Sequence, residues 1–209
     1  MAGTYRELAR LGSATVYEAG GRGGYVDADL FQALPGSRAA GPARTVLCGQ
    51  DDNLMVHAAM AEVVPGDVLV LTMPEPRAVA LVGDLLATQA QVAGAAAILV
   101  DAAIRDVQEL AALGLPIWAR WVRVKGAVKQ AAGAINVPVR VGGASIEPGD
   151  ALVLDADGVA VIPADRVSEV LDASLARERK ERAKRERLRG GEKSYDLDGL
   201  RAVVEEQQP

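Results

Sequence analysis

The middle of the chain alternates short apolar runs with segments of helical periodicity, and this alternation limits the fold more than any other feature. Buried strands are predicted at 68–72, 96–101 and 115–120, with helices at 84–93 and 107–113 between them. Further short strands are predicted at 137–141, 151–155 and 159–163. A helix is predicted at 53–63, and residues 14–19 fit either a helical turn or a strand. This pattern predicts a single α/β domain in which helices flank a mixed β-sheet.

The C-terminal part of the chain differs from this core in composition. One long helix is predicted from Asp165 onward, and it is charged nearly all round at 177–189. The tail at 195–204 has enough apolar residues to dock on a neighbouring subunit. We therefore divide the chain into an α/β catalytic core at 1–164 and a charged helix with its tail at 165–209, which we expect at a subunit interface.

Composition and charge argue against several classes of protein. Half of the 209 residues are apolar but only 3% are aromatic, so alanine, valine and leucine must fill the single core. The net charge of −5 and the mixed signs at 177–189 argue against a nucleic-acid-binding surface. We find no basic-then-apolar leader and no apolar run near the ~18 residues of a membrane span. The single Cys48 fits a reducing compartment, so a cytoplasmic location without membrane contact is expected.

A group of charged residues spans one predicted helix start and the strand end that follows that helix. Gly83 precedes the helix that begins at Asp84, and Arg105, Asp106 and Glu109 follow a predicted strand. Twenty residues separate Asp84 from Arg105, and two separate Asp106 from Glu109. An arginine beside a carboxylate at a strand end, facing a helix start, is a compact site for a metal ion and an anionic substrate.

Each part of this group suits the chemistry of an α-keto acid. The free N–H groups of Gly83-Asp84-Leu85-Leu86 are suited to a substrate carboxylate, because a helix start favours an anion. Arg105 offers a planar fork for a carboxylate or an oxyanion. Asp106 is a hard oxygen ligand for Mg²⁺ or Mn²⁺, and Asp84 is suited to hold a metal-bound water or to act as a base.

A structural interpretation of the same residue types is also open. An Arg-Asp pair at a strand end is often a surface ion pair, and Asp84 alone fits a helix cap. His57, the single histidine, is more typical of a packed structural residue than of a catalytic one. Lys125 and Lys129 lie outside apolar stretches, which disfavours an aldolase that works through a lysine Schiff base.

The spaced residues Asp84, Arg105, Asp106 and Glu109 resemble the signature of the class II pyruvate aldolases. These enzymes cleave 4-hydroxy-4-methyl-2-oxoglutarate and 4-carboxy-4-hydroxy-2-oxoadipate, and they share the fold of the regulator of ribonuclease activity A. Further segments that resemble the same family are 11–19, 52–57, 126–129, 136–139 and 157–163. The resemblance therefore covers most of the chain. The stretch at 136–138 and the long charged helix are closer to the branch that acts on carboxy-hydroxy-oxoadipate.

The resemblance implies a role for each residue of the signature. Asp106 would anchor the divalent metal, and Arg105 would bind substrate and stabilise the pyruvate enolate. Gly83-Asp84-Leu85-Leu86 would contact the substrate carboxylate, with Asp84 holding the catalytic water. Active sites of this family lie between subunits, so a homotrimer or a hexamer is expected. A neighbouring subunit would then add a carboxylate, for which Glu18 is the first candidate and Glu181 the second.

The activity implied by the resemblance is a metal-dependent lyase reaction. It would cleave a 4-hydroxy-2-oxo di- or tricarboxylic acid, with 4-carboxy-4-hydroxy-2-oxoadipate as the first candidate, to pyruvate and a second keto acid through a metal-stabilised enolate. Oxaloacetate decarboxylation is an expected side activity because it forms the same enolate, and aromatic compound degradation is the expected setting. Two alternatives stay open: a non-catalytic regulator that binds a ribonuclease, and a lyase on the same scaffold for another keto acid.

Overall fold

The computed structural model of the protein describes residues 2–207. Its main sheet has a short strand at one edge and curls around the core. The strands are β1 (Phe31–Gln32), β2 (Ala39–Leu47), β3 (Val68–Thr72), β4 (Ala80–Val82), β5 (Ala97–Ile104), β6 (Ile117–Val122), β7 (Ala134–Ile135), β8 (Val139–Val141), β9 (Ala144–Ile146), β10 (Ala151–Asp155) and β11 (Gly158–Ile162). They pair in the order β1-β6-β5-β3-β2-β10-β11, while β4 adds to β5 and β7 adds to β2. The strands β8 and β9 form a separate hairpin.

The centre of the sheet is parallel and its ends are antiparallel, so the predicted mixed α/β sheet is confirmed. The strands β2, β3, β5 and β6 run parallel to one another, whereas β1 and β10 pair antiparallel with β6 and β2. All eight residues of β5 are buried. A strand covered on both faces reads as a continuous apolar run, which is why the sequence predicted it.

Helices cover the sheet and divide the core into layers. They are α1 (Ala2–Leu11), α2 (Ser13–Ala19), α3 (Leu54–Ala59), α4 (Asp84–Val92), α5 (Val107–Leu113), α6 (Val167–Arg189), α7 (Ser194–Leu197) and α8 (Leu200–Gln207). One apolar cluster lies between the sheet and α3, α4 and α5, and the β8–β9 hairpin covers a second cluster on the other face. A third cluster lies under α1, α2 and the start of α6.

The structure differs from the predicted elements in several places. Residues 14–19, for which a helical turn and a strand were both open, belong to α2, and the helix predicted at 53–63 ends at Ala59. The strand β4 has no counterpart in the prediction, because its three residues are too few to give a periodic signal. It precedes Gly83 directly, so this short strand decides where the charged group of the sequence lies.

The long C-terminal helix is present and is largely exposed. In α6 only Val170 and Ser174 are buried, and α8 buries no residue. Leu200 and Val203 are about half exposed on α8, so docking of this tail on another subunit stays a prediction. No helix in residues 2–207 is both long enough and apolar enough to cross a membrane.

The buried carboxylate of Asp52 fastens the start of α3 to the loop that follows β6. It accepts hydrogen bonds from the backbone N–H groups of Leu54 at 2.7 Å, Gln130 at 2.6 Å and Ala131 at 2.8 Å. Burial opposes the charged form, but these three bonds and the charge of Lys129 outweigh it and hold the pKa of Asp52 below its usual value. The ionised carboxylate is therefore part of the folded structure.

We predict that Asp52→Ala lowers the free energy of unfolding by about 2–4 kcal/mol, because three buried N–H groups lose their acceptor. The contribution of Asp52 should be present above the pKa of an unfolded aspartate, about 3.9, and should be lost as the pH falls below it. Urea unfolding followed by circular dichroism at pH 7 and at pH 3 measures both effects. Asp29→Ala removes an exposed carboxylate and is the control; equal losses in the two variants would contradict the assignment.

Candidate functional site

A cleft of about 140 Å³ opens where β4 ends and α4 begins. Its polar and glycine residues are Asn53, His57, Gly83, Asp84, Arg105, Gly126 and Lys129. They come from the start of α3, the β4–α4 junction, the end of β5 and the loop after β6. Asp106 and Val124 line a second depression, which Arg105 also borders. The sheet thus brings together residues that are up to 76 positions apart in the chain.

The pairing of β4 with β5 explains the twenty-residue spacing of the charged group. The two strands run parallel with Val82 opposite Ile104, so Gly83 and Arg105 leave the sheet at the same edge. The N–H of Arg105 donates to the carbonyl oxygen of Val82 at 3.1 Å and fixes this register. The carboxyl ends of parallel strands are where α/β proteins commonly bind ligands.

Asp106 turns the chain from β5 into α5 and directs its side chain back to α4. Its backbone is left-handed (φ 58°, ψ 42°), a conformation that aspartate tolerates better than most residues. Its Oδ2 lies 3.3 Å from the backbone nitrogen of Asp84 and 3.4 Å from Nε of Arg105. A β-carbon at Gly83 would overlap this same Oδ2, so a larger residue there would displace the carboxylate. The carboxylate therefore lies directly at the start of α4.

The guanidinium of Arg105 is available to a ligand. Half of its side chain is exposed (51%), and Asp106 is its ion-pair partner at the long distance of 3.4 Å. The loop after β6 passes close by, because a β-carbon at Gly126 would lie 2.9 Å from Nη1 of Arg105. The arginine thus lines the cleft with its fork facing solvent rather than being held in a tight internal pair.

Three polar residues of the cleft were not assigned a role in it from the sequence: Asn53, His57 and Lys129. His57 lies one helical turn after Asn53 on α3, and Lys129 lies on the facing loop. Desolvation, and next the positive charge of Lys129, hold the pKa of His57 below its usual value, so its imidazole is neutral at pH 7. The four-residue spacing of Asn53 and His57 was the available signal, since residues at i and i+4 share a helix face.

Glu18 does not line this cleft within one chain. It lies on α2, where it pairs with Arg22 at 3.0 Å and with Arg177 at 3.7 Å. Glu181 pairs with Arg177 on α6, and Glu109 is exposed on α5 without lining the cleft. A carboxylate from Glu18 or Glu181 would have to come from a second copy of the chain, and this role stays a prediction.

The donor set fits a hard divalent cation better than zinc. Among residues 2–207, no group of three or more His, Cys, Asp or Glu side chains is placed to hold a metal ion. Asp106 is the carboxylate beside Arg105, and a third of its side chain is exposed. Mg²⁺ often binds through one or two carboxylates and keeps several waters, whereas structural zinc needs four protein ligands. Asp106 is therefore the residue that would hold Mg²⁺ or Mn²⁺, and this role stays a prediction.

The protein has an α/β fold with a small cleft at the carboxyl ends of its parallel strands, and Asp84, Arg105 and Lys129 line this cleft. Residues 13–161 match the RraA-like family model described as Aldolase/RraA, and the chain belongs to this family. Over 165 residues it is 38% identical to the "Putative 4-hydroxy-4-methyl-2-oxoglutarate aldolase" of Halalkalibacterium halodurans. That similarity covers 79% of this chain and 76% of the relative.

Solved structures share the fold over most of the chain. RraAS2 of Streptomyces coelicolor, described as an unusual member of the RNase ES inhibitor RraA protein family, is similar at 33% identity with a TM-score of 0.78. The match covers 88% of this chain and 96% of that one. The RNA-processing inhibitor RraA of Thermus thermophilis is 28% identical with a TM-score of 0.67, over 72% and 92% of the two chains. The expected family and fold are thereby confirmed.

Because His57 is the single histidine, its titration can be followed without ambiguity by proton NMR of untagged protein. We predict a pKa below the ordinary value of about 6.5. Lys129→Met should move this pKa upward, because a nearby positive charge is removed, but not fully to the ordinary value, because desolvation remains. Lys125→Met is the control and should leave the titration unchanged. If the pKa of His57 is the same in Lys129→Met as in wild type, Lys129 does not lie beside His57.

Proposed function

We propose that the protein is a divalent-metal-dependent lyase that cleaves a 4-hydroxy-2-oxo di- or tricarboxylic acid to pyruvate and a second keto acid. The observation that carries this proposal is the contact of one carboxylate, Asp106, with both the start of α4 and Arg105. A protein that only binds a macromolecule has no need of this arrangement beside a cleft of small-molecule size. The aldolase name of the relative from Halalkalibacterium halodurans supports the same class of reaction.

The substrate would bind by its pyruvoyl end. The backbone N–H groups after Gly83 and the positive end of the α4 dipole favour a carboxylate at this position. Arg105 would donate to the keto oxygen and stabilise the negative charge that develops there as the enolate forms. Lys129, on the facing loop, adds positive charge for a further carboxylate at the distal end of the substrate. The site therefore favours substrates with two or more carboxylates.

Asp106 would hold the cation, which when bound polarises the keto group and offsets its developing charge. Asp84 lines the cleft and would hold the water that takes the proton of the 4-hydroxyl group. As this O–H bond breaks, the C4–O bond becomes a carbonyl and the C3–C4 bond breaks. Its electron pair moves between C2 and C3 to give the pyruvate enolate, which is then protonated at C3.

Loss of carbon dioxide from oxaloacetate gives the same enolate without the removal of a hydroxyl proton. We therefore propose oxaloacetate decarboxylation as a side activity, which depends on Arg105 and Asp106 but not on the proton acceptor at Asp84. Of the 4-hydroxy substrates, 4-carboxy-4-hydroxy-2-oxoadipate is the first candidate. Aromatic compound degradation is the metabolic setting that we propose.

We further propose a trimeric or hexameric assembly, in which Glu18 or Glu181 of a second copy adds a carboxylate near Asp106. A second candidate function is suggested by similarity to RraAS2, which extends over 88% of this chain. On that basis the protein would bind and regulate a ribonuclease without catalysis. Absence of turnover on both keto acids, together with binding to a ribonuclease, would favour this alternative.

The first test measures pyruvate release from 4-carboxy-4-hydroxy-2-oxoadipate and from oxaloacetate with Mg²⁺, and then with a chelator. We predict chelator-sensitive release from both. Asp106→Asn should lower both rates by about 100- to 1,000-fold, since it removes the charge that holds the cation while asparagine keeps the left-handed backbone. Asp172→Asn, on the exposed side of α6, is the control. Retained turnover in Asp106→Asn would refute the metal assignment.

Arg105→Lys tests the role of the planar fork. A lysine keeps the charge but cannot make two parallel hydrogen bonds, so we predict a loss of about 100-fold or more in kcat for both substrates. Arg140→Lys, exposed on the β8–β9 hairpin, should keep normal rates. Steady-state kinetics at saturating Mg²⁺ provide the measurement, and near-normal turnover in Arg105→Lys would exclude Arg105 from stabilising the enolate.

A further inference from the structure

Asn53 occupies the N-cap position of α3 but does not cap the helix. Its backbone carbonyl accepts the N–H groups of Val56 and His57, as expected at this position. Its side chain makes no capping hydrogen bond. The cap is supplied instead by Asp52, whose Oδ1 accepts the N–H of Leu54 at 2.7 Å. The residue type that most favours a cap is therefore used for something else.

The amide group of Asn53 is turned toward β4. Its Nδ2 donates to the carbonyl oxygen of Leu81 at 2.9 Å, and the residue lines the cleft. This bond fixes the orientation of the amide, because the reverse orientation would set two acceptor oxygens against each other. Oδ1 is then left buried without a hydrogen-bond partner, in a residue that is only 7% exposed.

An unpartnered acceptor of this kind is uncommon and costly, so it indicates a missing donor. The chemistry of the substrate class restricts what that donor can be. Carboxylates and the keto group are acceptors, and at neutral pH they cannot satisfy Oδ1. In a 4-hydroxy-2-oxo acid the 4-hydroxyl is the donor. The other O–H donor at the C4 end of the substrate is the water that would take the proton of the 4-hydroxyl.

We infer that Asn53 is a substrate-discriminating residue whose Oδ1 accepts a hydrogen bond from an O–H donor at the C4 end of the substrate. This inference rests on the proposed lyase function and deepens it. The donor is the 4-hydroxyl itself or the water held by Asp84, since both Asn53 and Asp84 line the cleft. A water that donates one hydrogen to Asp84 and the other to Asn53 directs its lone pair at the hydroxyl proton.

The two reactions differ in their need for this hydrogen bond. Retro-aldol cleavage needs the hydroxyl and its proton acceptor, whereas oxaloacetate decarboxylation uses neither. Removal of the Asn53 acceptor should therefore impair the cleavage of 4-hydroxy substrates and spare the decarboxylation. A purely structural role of Asn53 would instead lower both activities together, because both depend on the same arrangement of Arg105 and Asp106.

The test compares Asn53→Leu with wild type on 4-carboxy-4-hydroxy-2-oxoadipate and on oxaloacetate, with Mg²⁺ present. We expect kcat/KM for the aldol substrate to fall about 10- to 100-fold, while oxaloacetate decarboxylation stays within about threefold. Gln91→Leu is the matched control, since Gln91 also donates an amide hydrogen to a leucine carbonyl, that of Leu113 at 2.8 Å, outside the cleft. Thermal unfolding of both variants reports any loss of stability.

Each outcome decides the inference. A selective loss supports it, with a raised KM identifying the hydroxyl as the donor and a lowered kcat identifying the water. Equal losses on both substrates, or no loss on either, overturn it while the lyase assignment stands. If Asn53→Leu does not fold, Asn53→Ser and Asn53→Ala replace it. A serine hydroxyl can still accept a hydrogen bond, so Asn53→Ser must retain more aldol cleavage, relative to decarboxylation, than Asn53→Ala does. Wild type that is silent on both substrates overturns the proposed function and this inference together.

Discussion

Asp106 leaves β5 in a left-handed backbone conformation, and its carboxylate therefore returns across the start of α4. The arrangement of the cleft follows from this one turn. The returning oxygen takes the space that a β-carbon would need at Gly83, and it also approaches Nε of Arg105. The start of α4, the guanidinium of Arg105 and the carboxylate of Asp106 thus lie close together at the edge of a buried parallel sheet.

The start of α3 shows how the chain separates stability from chemistry. Asp52 caps the helix and binds the loop after β6 through three backbone N–H groups. Because the Asp52 carboxylate caps α3, the side chain of the neighbouring Asn53 is not needed as a cap. Its amide is held by Leu81, and its oxygen remains unpartnered in the wall of the cleft. The same loop carries Lys129, so Asp52 also determines where that positive charge lies.

Much of the fold could be predicted because its central strands are buried on both faces. The strands predicted at 68–72 and 151–155 have the same bounds in β3 and β10, and the helix predicted at 107–113 has the bounds of α5. Elements with few residues were not predictable, since three residues of β4 carry no period. The end of α3 was misplaced because apolar residues continue beyond Ala59 into a turn.

The sequence by itself determined the class of fold, the charged group around Asp84, Arg105 and Asp106, and the resemblance to a family of aldolases. These depend on residue type and spacing, which one chain displays directly. Only the tertiary structure decided that Asn53, His57 and Lys129 share the cleft, while Glu18 lies elsewhere in the chain. The reason is physical: strand register and the direction of a single amide group depend on contacts between distant residues. Local sequence patterns do not contain that information.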